Sequence, residues 1–444
     1  MHIIASSFTL IAANSYRHAK TVPSKAYVIA VPVAAYRLAD GSFAIEDAFS
    51  HHLKELRSQL GQHVDKIILI APEMSRADFD KSPSLSILTA IDGIVMLPTY
   101  PENASVPDFW LRHMPRMARM LYSTISQASV VHSSLSSDTW RPMMLLVNVI
   151  AWSLTKRVMF VVDIDFRRNT WRFRHLGLWS RKNYLTNRLF HDPLRWLQIW
   201  FAVRLSRLVL LKSPELVRDF GKGRPRVKNL LNVVHSAEQV LSKSETEERL
   251  AWLYDKAKPL HLAYFGRIVP YKGIDLAIEA VRLARTRGSD VRLTIIGNGP
   301  QLPDLQHQVA EARLTDAITF LPAVKYGAPL FELLSDCHAC VASPLVEDTP
   351  RCAFDAMARG LPIVAFDIDY FKGLAEMSGA VTTTTWPSPE GLADAFVALD
   401  DDRTILAEQA GRAIAFARDN TQQIWMERRQ AWLMEYVLNV PPKA

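Results

Sequence analysis

The sequence predicts an α/β protein with two Rossmann-like domains facing a central cleft. Its 444 residues are enough for two to four domains, each with its own core. Short apolar runs alternate with helical patterns along most of the chain, which is typical of parallel βαβ units. The polar stretch KSETEER interrupts this alternation, so we interpret it as part of a linker between the domains.

The first half of the chain predicts an N-terminal Rossmann-like domain at residues 1–240. Its predicted strands are KAYVIAVPV (25–33), KIILIAP (66–72), IDGIVMLP (91–98), ASVVHSS (128–134), RVMFVVDI (157–164) and RLVLLKS (207–213). Its predicted helices are 43–60, 143–154 and 214–221.

After a linker at 241–258 the alternation restarts and predicts a second Rossmann-like domain at 259–415. Its predicted strands are 261–266, 291–297, 318–324, 339–343 and 362–367, and its predicted helices are 274–287, 302–312, 329–335 and 350–360. From Glu390 to Val440 the sequence pattern is helical. Residues 416–444 are expected to form C-terminal helices that pack back toward the N-terminal domain.

The composition excludes several classes of protein. Apolar residues make up 49% and charged residues 22%, which excludes a disordered or collagenous chain. Three cysteines, Cys337, Cys340 and Cys352, predict no disulfide framework and favour a reducing compartment. His338 lies inside the C-x-x-C pair, but no second pair follows at zinc-finger spacing, so we interpret these as buried core thiols.

The N-terminus and the apolar runs favour a cytoplasmic protein. The first residues lack the basic region and cleavage site of a secretory signal. The run 142–154 is too short to cross a bilayer, and the run 194–211 contains three arginines. Any membrane contact is therefore expected to be peripheral, on the inner face of the cytoplasmic membrane.

Positive charge is concentrated in residues 167–228. The chain carries a net +7, whereas this segment has 16 Lys and Arg against 3 acids, +13, so the remainder carries −6. The segment also contains Trp171, Trp179, Trp196 and Trp200. Such a composition is typical of a face on an anionic membrane, of an RNA-binding face, or of a packed helix whose arginines reach the solvent. No nucleic-acid motif accompanies it, so we expect no nucleic acid.

Two loops after predicted strands have the chemistry of a diphosphate site. Arg267, next to Gly266, and Lys272 lie where the carboxyl ends of parallel strands meet, and two cations there can hold a diphosphate. Two solvated loop charges are the alternative. Gly297 and Gly299 in GNGP permit a backbone to approach a ligand closely, although an ordinary turn explains them equally well.

A third loop, SPLVEDTPRCAFD, carries two carboxylates. Thr349 is predicted to cap a helix that starts at Pro350, whose first N–H groups favour an anion. Glu347 and Asp355 are eight residues apart, about 11 to 12 Å on a helix. That is too far for a glycosidic acid/base pair. We therefore expect two separate contacts on an elongated ligand, against the alternative of two solvated carboxylates.

Together these motifs resemble the donor-binding domain of glycosyltransferase family 4, the retaining GT-B glycosyltransferases of bacterial polysaccharide synthesis. The resemblance covers about 261–398 and comprises GR-x4-KG, IIGNGP, FLPAV and ASP-x2-E-x7-D-AMARGLPIVA in order. It implies that Arg267 and Lys272 bind the nucleotide diphosphate and that Glu347 contacts the donor sugar. It assigns the ribose hydroxyls to Asp355, which is one methylene shorter than the family's glutamate.

The resemblance implies further site residues. The backbone at Thr349 would face the phosphate and sugar, and Val324 and Leu330 would flank the base. In the N-terminal half, Gly41 would lie in a loop that approaches the donor. His132 matches the earlier of two histidines near the family's catalytic site, while Ser134 occupies the later position; a structural histidine at a strand end is the alternative. Asp163 is placed on the acceptor side of the cleft.

Two D-x-D triplets have a spacing used by metal-dependent glycosyltransferases, Asp163 with Asp165 and Asp367 with Asp369. GT-B enzymes instead neutralise the leaving diphosphate with cationic side chains and helix dipoles. We therefore expect no metal and no cofactor, with the nucleotide-sugar as co-substrate.

The resemblance predicts a hexosyltransferase that moves a sugar from a UDP- or GDP-sugar to a saccharide acceptor. The basic segment favours a lipid-linked acceptor in exopolysaccharide or cell-surface polysaccharide synthesis. Two alternatives stay open: a GT-B nucleotide-sugar epimerase or phosphorylase, and a non-catalytic nucleotide-sugar or RNA-binding protein.

Overall fold

The computed structural model describes residues 25–82, 85–136 and 138–438. The chain divides into two compact units, residues 1–159 and 160–444. This division does not coincide with the sequence-based boundary near residue 240, and the functional domain boundaries stay a prediction.

The strands alternate with helices as the sequence predicts. The strands are β1 (Ala26–Ala30), β2 (Tyr36–Arg37), β3 (Phe43–Glu46), β4 (Lys66–Glu73), β5 (Leu85–Leu88), β6 (Ile94–Pro101), β7 (Ala128–Ser134), β8 (Arg157–Val162), β9 (Leu208–Leu211), β10 (Val227–Asn229), β11 (Leu260–Phe265), β12 (Val291–Ile296), β13 (Ile318–Leu321), β14 (Ala339–Ala342), β15 (Ile363–Phe366) and β16 (Val381–Thr384).

The α-helices fall between them and fill the C-terminal end. They are α1 (Asp47–Leu60), α2 (Arg76–Lys81), α3 (Val106–Asp108), α4 (Met114–Gln127), α5 (Met143–Ser153), α6 (Phe166–His175), α7 (Arg181–Thr186), α8 (Asp192–Leu205), α9 (Pro214–Phe220), α10 (Lys243–Leu253), α11 (Ile274–Thr286), α12 (Leu302–Glu311), α13 (Ala328–Ser335), α14 (Cys352–Ala358), α15 (Asp369–Ser378), α16 (Pro389–Asp401), α17 (Arg403–Asp419) and α18 (Gln422–Trp432).

In the first unit four parallel strands pair in the order β7-β1-β4-β6. The segments between these strands form a small antiparallel sheet, β2-β3-β5, which the sequence pattern does not predict. Gly41, with φ of 85°, is in the turn of the β2–β3 hairpin, closed by a bond from the Leu38 N–H to the Ser42 carbonyl. The helix predicted at 43–60 therefore starts only at Asp47, because the preceding four residues pair as a strand.

The second unit contains a six-stranded parallel sheet in the order β13-β12-β11-β14-β15-β16. Alternate residues of β11 enter two different cores, with Leu262 in one and Ala263 and Phe265 in the other. Both faces of the sheet are thus covered, which explains why its strands appear in the sequence as continuous apolar runs.

The charged stretch that we predicted as a linker forms helix α10. Ser242 caps it and exchanges hydrogen bonds with Glu245 in a capping box. Leu253, at its end, is fully buried in the core of the second unit. The polar sequence therefore marks the exposed first turns of a helix whose end packs into the core.

The C-terminal helices pack onto an early part of the second unit. The Lys228 ammonium at the end of β10 lies 5.6 Å from the centre of the Trp432 ring and 5.3 Å from that of Tyr436. Both distances suit cation–π contacts. Across the described residues, we find no helix with the length and apolar character needed to span a membrane.

Candidate functional site

A cavity of about 380 Å³ lies at the carboxyl ends of strands in the second unit. The ends of β11 and β14 contribute Phe265, Gly266, Ala342 and Ser343 to its lining. This is the place where an open parallel sheet binds ligands, because both faces are occupied by helices and the loops at the strand ends diverge.

Lys272 lines this cavity, and its ammonium is bonded to the Asp348 carboxylate. It lies in the short turn Pro270–Lys272, which Gly273 ends with φ of 62°. A Cβ at Gly273 would clash with the Ser343 carbonyl, so glycine lets this turn lie directly against the end of β14. The sequence thus places one cation at the cavity wall.

Asp355 faces the same cavity from α14 and is buried. The Tyr326 hydroxyl donates a hydrogen bond to its Oδ1 at 3.0 Å. Burial raises the pKa of Asp355 to about 6, although the Tyr326 bond and the nearby Arg351 charge oppose the shift. Further hydrogen bonds from a ligand would therefore stabilise the ionised form of this buried carboxylate.

The cavity brings together only some of the residues predicted from the sequence. Gly266, Lys272, Leu330 and Asp355 line it. The lining also includes three residues that no sequence motif indicates, Val234, Tyr326 and Arg351. The predicted residues that do not line it are Arg267, Gly297, Gly299, Val324, Glu347 and Thr349.

Gly297 and Gly299 support the cavity loop from behind. A Cβ at Gly297 would clash with the Gly266 carbonyl, and one at Gly299 with the Ile268 carbonyl. The Ile268 N–H donates to the Asn298 carbonyl at 2.9 Å. These glycines therefore allow two backbone loops to touch, and they act on the cavity through Gly266.

Arg267 is exposed, and its guanidinium donates to the Tyr271 hydroxyl at 2.8 Å. The predicted cap at Thr349 is wrong: the helix begins at Cys352 with Arg351 as its cap residue. The Thr349 N–H donates to the Asp348 carboxylate at 3.0 Å, so the chain is held in a loop there. Thr349 and Asp348 instead line a second hollow next to the cavity.

Glu347 lies in this second, small hollow and is buried. Arg172 donates to its Oε1 at 2.6 Å, and the Asp369 N–H donates to the same oxygen at 3.1 Å. Burial raises the pKa of Glu347, and the Arg172 charge opposes that rise. The carboxylate is therefore held in one position by charge and by backbone donors.

Helix α6 supplies the groups that hold Glu347. Besides Arg172, Asn169 accepts a hydrogen bond from the Glu347 N–H at 2.6 Å. Trp171 lies 5.4 Å from the ring of Trp386, and the Arg172 guanidinium 5.7 Å from it. No sequence pattern predicts this contact, because Arg172 is 175 residues away from Glu347 and belongs to a segment with the composition of an ordinary basic helix.

Asp163 and Asp165 also line the small hollow, together with Arg168. Lys212 binds Asp163 at 2.5 Å, and Arg168 lies 3.0 Å from Asp369. Within 25–82, 85–136 and 138–438, we find no group of three or more His, Cys, Asp or Glu side chains arranged to hold a metal ion. Metal independence and the acceptor-side role of Asp163 stay predictions.

His132 and Gly41 belong to the first unit. His132 is buried in β7, pairs with Ile29 of β1, and lies edge-on to the Tyr27 ring at 6.0 Å. Gly41 is exposed at the hairpin turn. Their roles in the site stay predictions.

Residues 259–402 match the family model described as Glycosyl transferases group 1. The 2-deoxystreptamine glucosyltransferase of Streptomyces kanamyceticus is 31% identical over 164 residues, which cover 34% of this chain and 39% of that protein. The amylovoran biosynthesis glycosyltransferase AmsK of Erwinia amylovora is 28% identical over 148 residues, 32% of this chain and 35% of that protein. The chain thus spans less than two thirds of the length of these relatives.

A crystal structure of the Anabaena protein HepE in complex with UDP aligns with 91% of this chain and 98% of its own, with a TM-score of 0.58 and 16% identity. The chain has the GT-B glycosyltransferase fold. The predicted fold of two Rossmann-like domains is therefore confirmed, and the resemblance to glycosyltransferases is confirmed for the matched residues 259–402. Membership of family 4 in particular stays a prediction.

We expect Arg172→Met to lower the free energy of unfolding by about 3 to 5 kcal/mol, because it leaves a buried carboxylate without its counter-charge. Urea unfolding followed by circular dichroism at neutral pH measures this. The double variant Arg172→Met/Glu347→Gln removes both charges and should recover most of the loss. Arg174→Met, an exposed position on the same helix, is the control. Equal stability of the two arginine variants would contradict the role of the ion pair.

Proposed function

We propose that the chain is a retaining glycosyltransferase that uses a UDP- or GDP-sugar and a lipid-linked saccharide acceptor in polysaccharide synthesis. The observation that carries the proposal is the cavity at the strand ends, which has Lys272 on one wall and the buried Asp355 on another. The match of residues 259–402 to glycosyltransferases supports it, as does the fold shared with a protein crystallised with UDP.

The donor would lie along the cavity with its ribose at Asp355 and its diphosphate at Lys272. A carboxylate accepts two ribose hydroxyls well, and a cation offsets the charge that develops on the leaving diphosphate. Lys272 would exchange its bond to Asp348 for one to the diphosphate. Arg351, at the start of α14, adds a second cation on this wall.

The sugar would point toward the neighbouring hollow, where Asp348 forms part of both linings. Glu347, held by Arg172, would accept hydrogen bonds from the sugar hydroxyls. Resemblance to retaining enzymes implies that the acceptor hydroxyl attacks the same face that the phosphate leaves. The leaving phosphate would then take the acceptor proton as the sugar passes through an oxocarbenium-like state.

The donor is tested by calorimetry with UDP-glucose, GDP-mannose and ADP-glucose. We expect Lys272→Gln to lower the affinity for the matched donor by roughly 10- to 100-fold, since it removes one charge-assisted hydrogen bond. The amide can still form a hydrogen bond with Asp348. Lys243→Gln, on the exposed start of α10, should bind normally. Unchanged affinity in Lys272→Gln would reject the assignment. Donor turnover without acceptor would instead indicate an epimerase, and tight RNA binding without donor hydrolysis a non-catalytic protein.

The pH dependence of donor binding tests Asp355. The ionised carboxylate accepts both ribose hydroxyls, whereas the protonated acid keeps one oxygen as a donor and accepts more weakly. Affinity for UDP-glucose should therefore fall by up to about tenfold from pH 7 to pH 5, as Asp355 protonates with a pKa of about 6. The diphosphate diester of UDP-glucose does not titrate in this range, unlike free UDP. Asp355→Asn should bind weakly at both pH values. A wild-type affinity independent of pH would contradict the role.

Asp355→Asn is expected to weaken donor binding but to stabilise the fold. Because the folded-state pKa of Asp355 is raised above 3.8, its ionisation costs stability above about pH 6, and this cost is relieved as the pH falls toward 3.8. Asp355→Asn should therefore be more stable than the wild type at pH 8, by up to about 3 kcal/mol. Thermal unfolding measures this stability difference and also shows that the variant is folded.

A basic and apolar surface of the second unit supports the membrane part of the proposal. Leu197, Phe201 and Leu205 are spaced four residues apart on α8 and are exposed, so they lie on one face of the helix. Leu189 and Phe190, in the turn before α8, are 62% and 68% exposed. The exposed cations around them in the sequence are Arg174, Arg181, Lys182, Arg188, Arg204 and Arg207. Apolar side chains flanked by cations favour an anionic bilayer surface.

We expect the wild type to sediment with vesicles of phosphatidylglycerol and phosphatidylcholine at 0.1 M salt and to be released at 0.5 M, because salt screens the attraction of the cations. The variant Leu189→Ser/Phe190→Ser should bind several-fold less. Ile91→Ser is the control, since it removes an apolar side chain of the first unit that is even more exposed, at 98%. Absence of binding by the wild type would reject the membrane contact and leave the enzyme assignment intact.

A further inference from the structure

We propose that the second unit contains another binding site, for the phosphate group of a small phosphorylated molecule, at the opposite end of its sheet from the donor cavity. His338, Lys258 and Arg292 are the donors that would hold the phosphate. The proposal does not depend on the function proposed above, because none of these residues lines the donor cavity.

The site is a cavity of about 370 Å³ at the amino ends of the parallel strands. His261 and Arg292, near the starts of β11 and β12, line it, and His338 immediately precedes β14. Trp252 and Lys258 form a further wall. The donor cavity lies at the other ends of β11 and β14, so the two cavities are separated by the length of the sheet.

His338 presents a hydrogen-bond donor that no described residue satisfies. The residue is 1% exposed, and its Nδ1 accepts the N–H of His261 at 3.1 Å. In the neutral ring the proton must then be on Nε2, and this buried atom has no hydrogen-bond partner among the described residues. A buried donor without an acceptor costs free energy that an anionic ligand would recover.

The surroundings of His338 are positively charged. Its ring stacks on Trp252 at 4.3 Å, and the ammonium of Lys258 lies 4.8 Å from the centre of the same Trp252 ring. Burial, together with the charges of Arg403 and Arg249, lowers the pKa of His338 to about 3. The ring therefore stays neutral at physiological pH and acts as a fixed donor.

Buried cations nearby also lack acceptors. Arg403 is 2% exposed and donates to Asp400 and to the Lys258 carbonyl through one nitrogen, while its Nε and Nη1 have no partner among the described residues. The lining also contains Asp336 and Asp316, the second of which Arg285 engages at 2.8 Å. An anion would therefore bind on the side of Lys258, Arg292 and the His338 donor.

Phosphate fits this set of donors better than a carboxylate. Its tetrahedral oxygens accept hydrogen bonds from several directions, as is needed for donors on the floor and on two walls. The cavity has room for more than a bare phosphate, and the apolar surfaces of Trp252, Pro259 and Leu293 can contact the rest of a small molecule.

Histidine NMR with inorganic phosphate as the probe tests the proposal. We expect the ring signals of His338 to shift saturably at millimolar phosphate, because its Nε2–H gains an acceptor while the ring stays neutral. Lys258→Ala/Arg292→Ala should weaken this response at least fivefold, whereas Lys243→Ala, which removes a charge from the start of α10, should not. The test uses variants of Lys258 and Arg292 because a His338 variant loses the hydrogen bond from the His261 N–H and can fail to fold.

Lys272→Gln separates this site from the donor cavity, since phosphate bound near Lys272 would respond to that change. A His338 shift that is retained in Lys272→Gln supports the second site. Two results would overturn it: no change of the His338 signals with phosphate, or an equal change in the wild type and in Lys258→Ala/Arg292→Ala.

Discussion

The parallel sheet of the second unit is covered by apolar helices on both faces, and this constraint decides where the molecule can bind anything polar. Side chains of β11 alternate between two dry cores, so neither face admits a ligand. A site for a polar ligand is therefore expected at the strand ends. The carboxyl ends gather Lys272 and Asp355 around one cavity, and the amino ends gather His261 and Arg292 around another. Both candidate sites thus follow from the same packing.

Several charged side chains near these cavities form ion pairs. Lys272 is matched by Asp348, Glu347 by Arg172, and Asp163 by Lys212. Isolated buried charges are costly, so such pairing keeps a ligand-binding wall folded before any ligand arrives. Asp355 is different, because its bonded side-chain partner is the neutral Tyr326 hydroxyl. Burial raises its pKa, and the Tyr326 bond and the Arg351 charge offset that rise only in part.

The basic segment at 167–228 has two uses. Part of it is internal: Arg172 reaches the buried Glu347, and Arg168 contacts Asp369. Another part stays on the surface next to exposed apolar residues such as Leu189 and Phe190. Helix α6 thus joins this basic segment to the small hollow that contains Glu347.

The sequence by itself determined the α/β class, most strand positions of the second unit, and the cavity residues Gly266, Lys272, Leu330 and Asp355. Strand rhythm and motif spacing are local properties, so they can be read from neighbouring residues. Only the tertiary structure decided that Arg172 holds Glu347, that 241–258 contains a packed helix, and that Gly297 and Gly299 support a loop without lining the cavity. These depend on contacts between residues far apart in the chain, and local patterns do not encode which distant partner a buried charge or a close backbone approach will find.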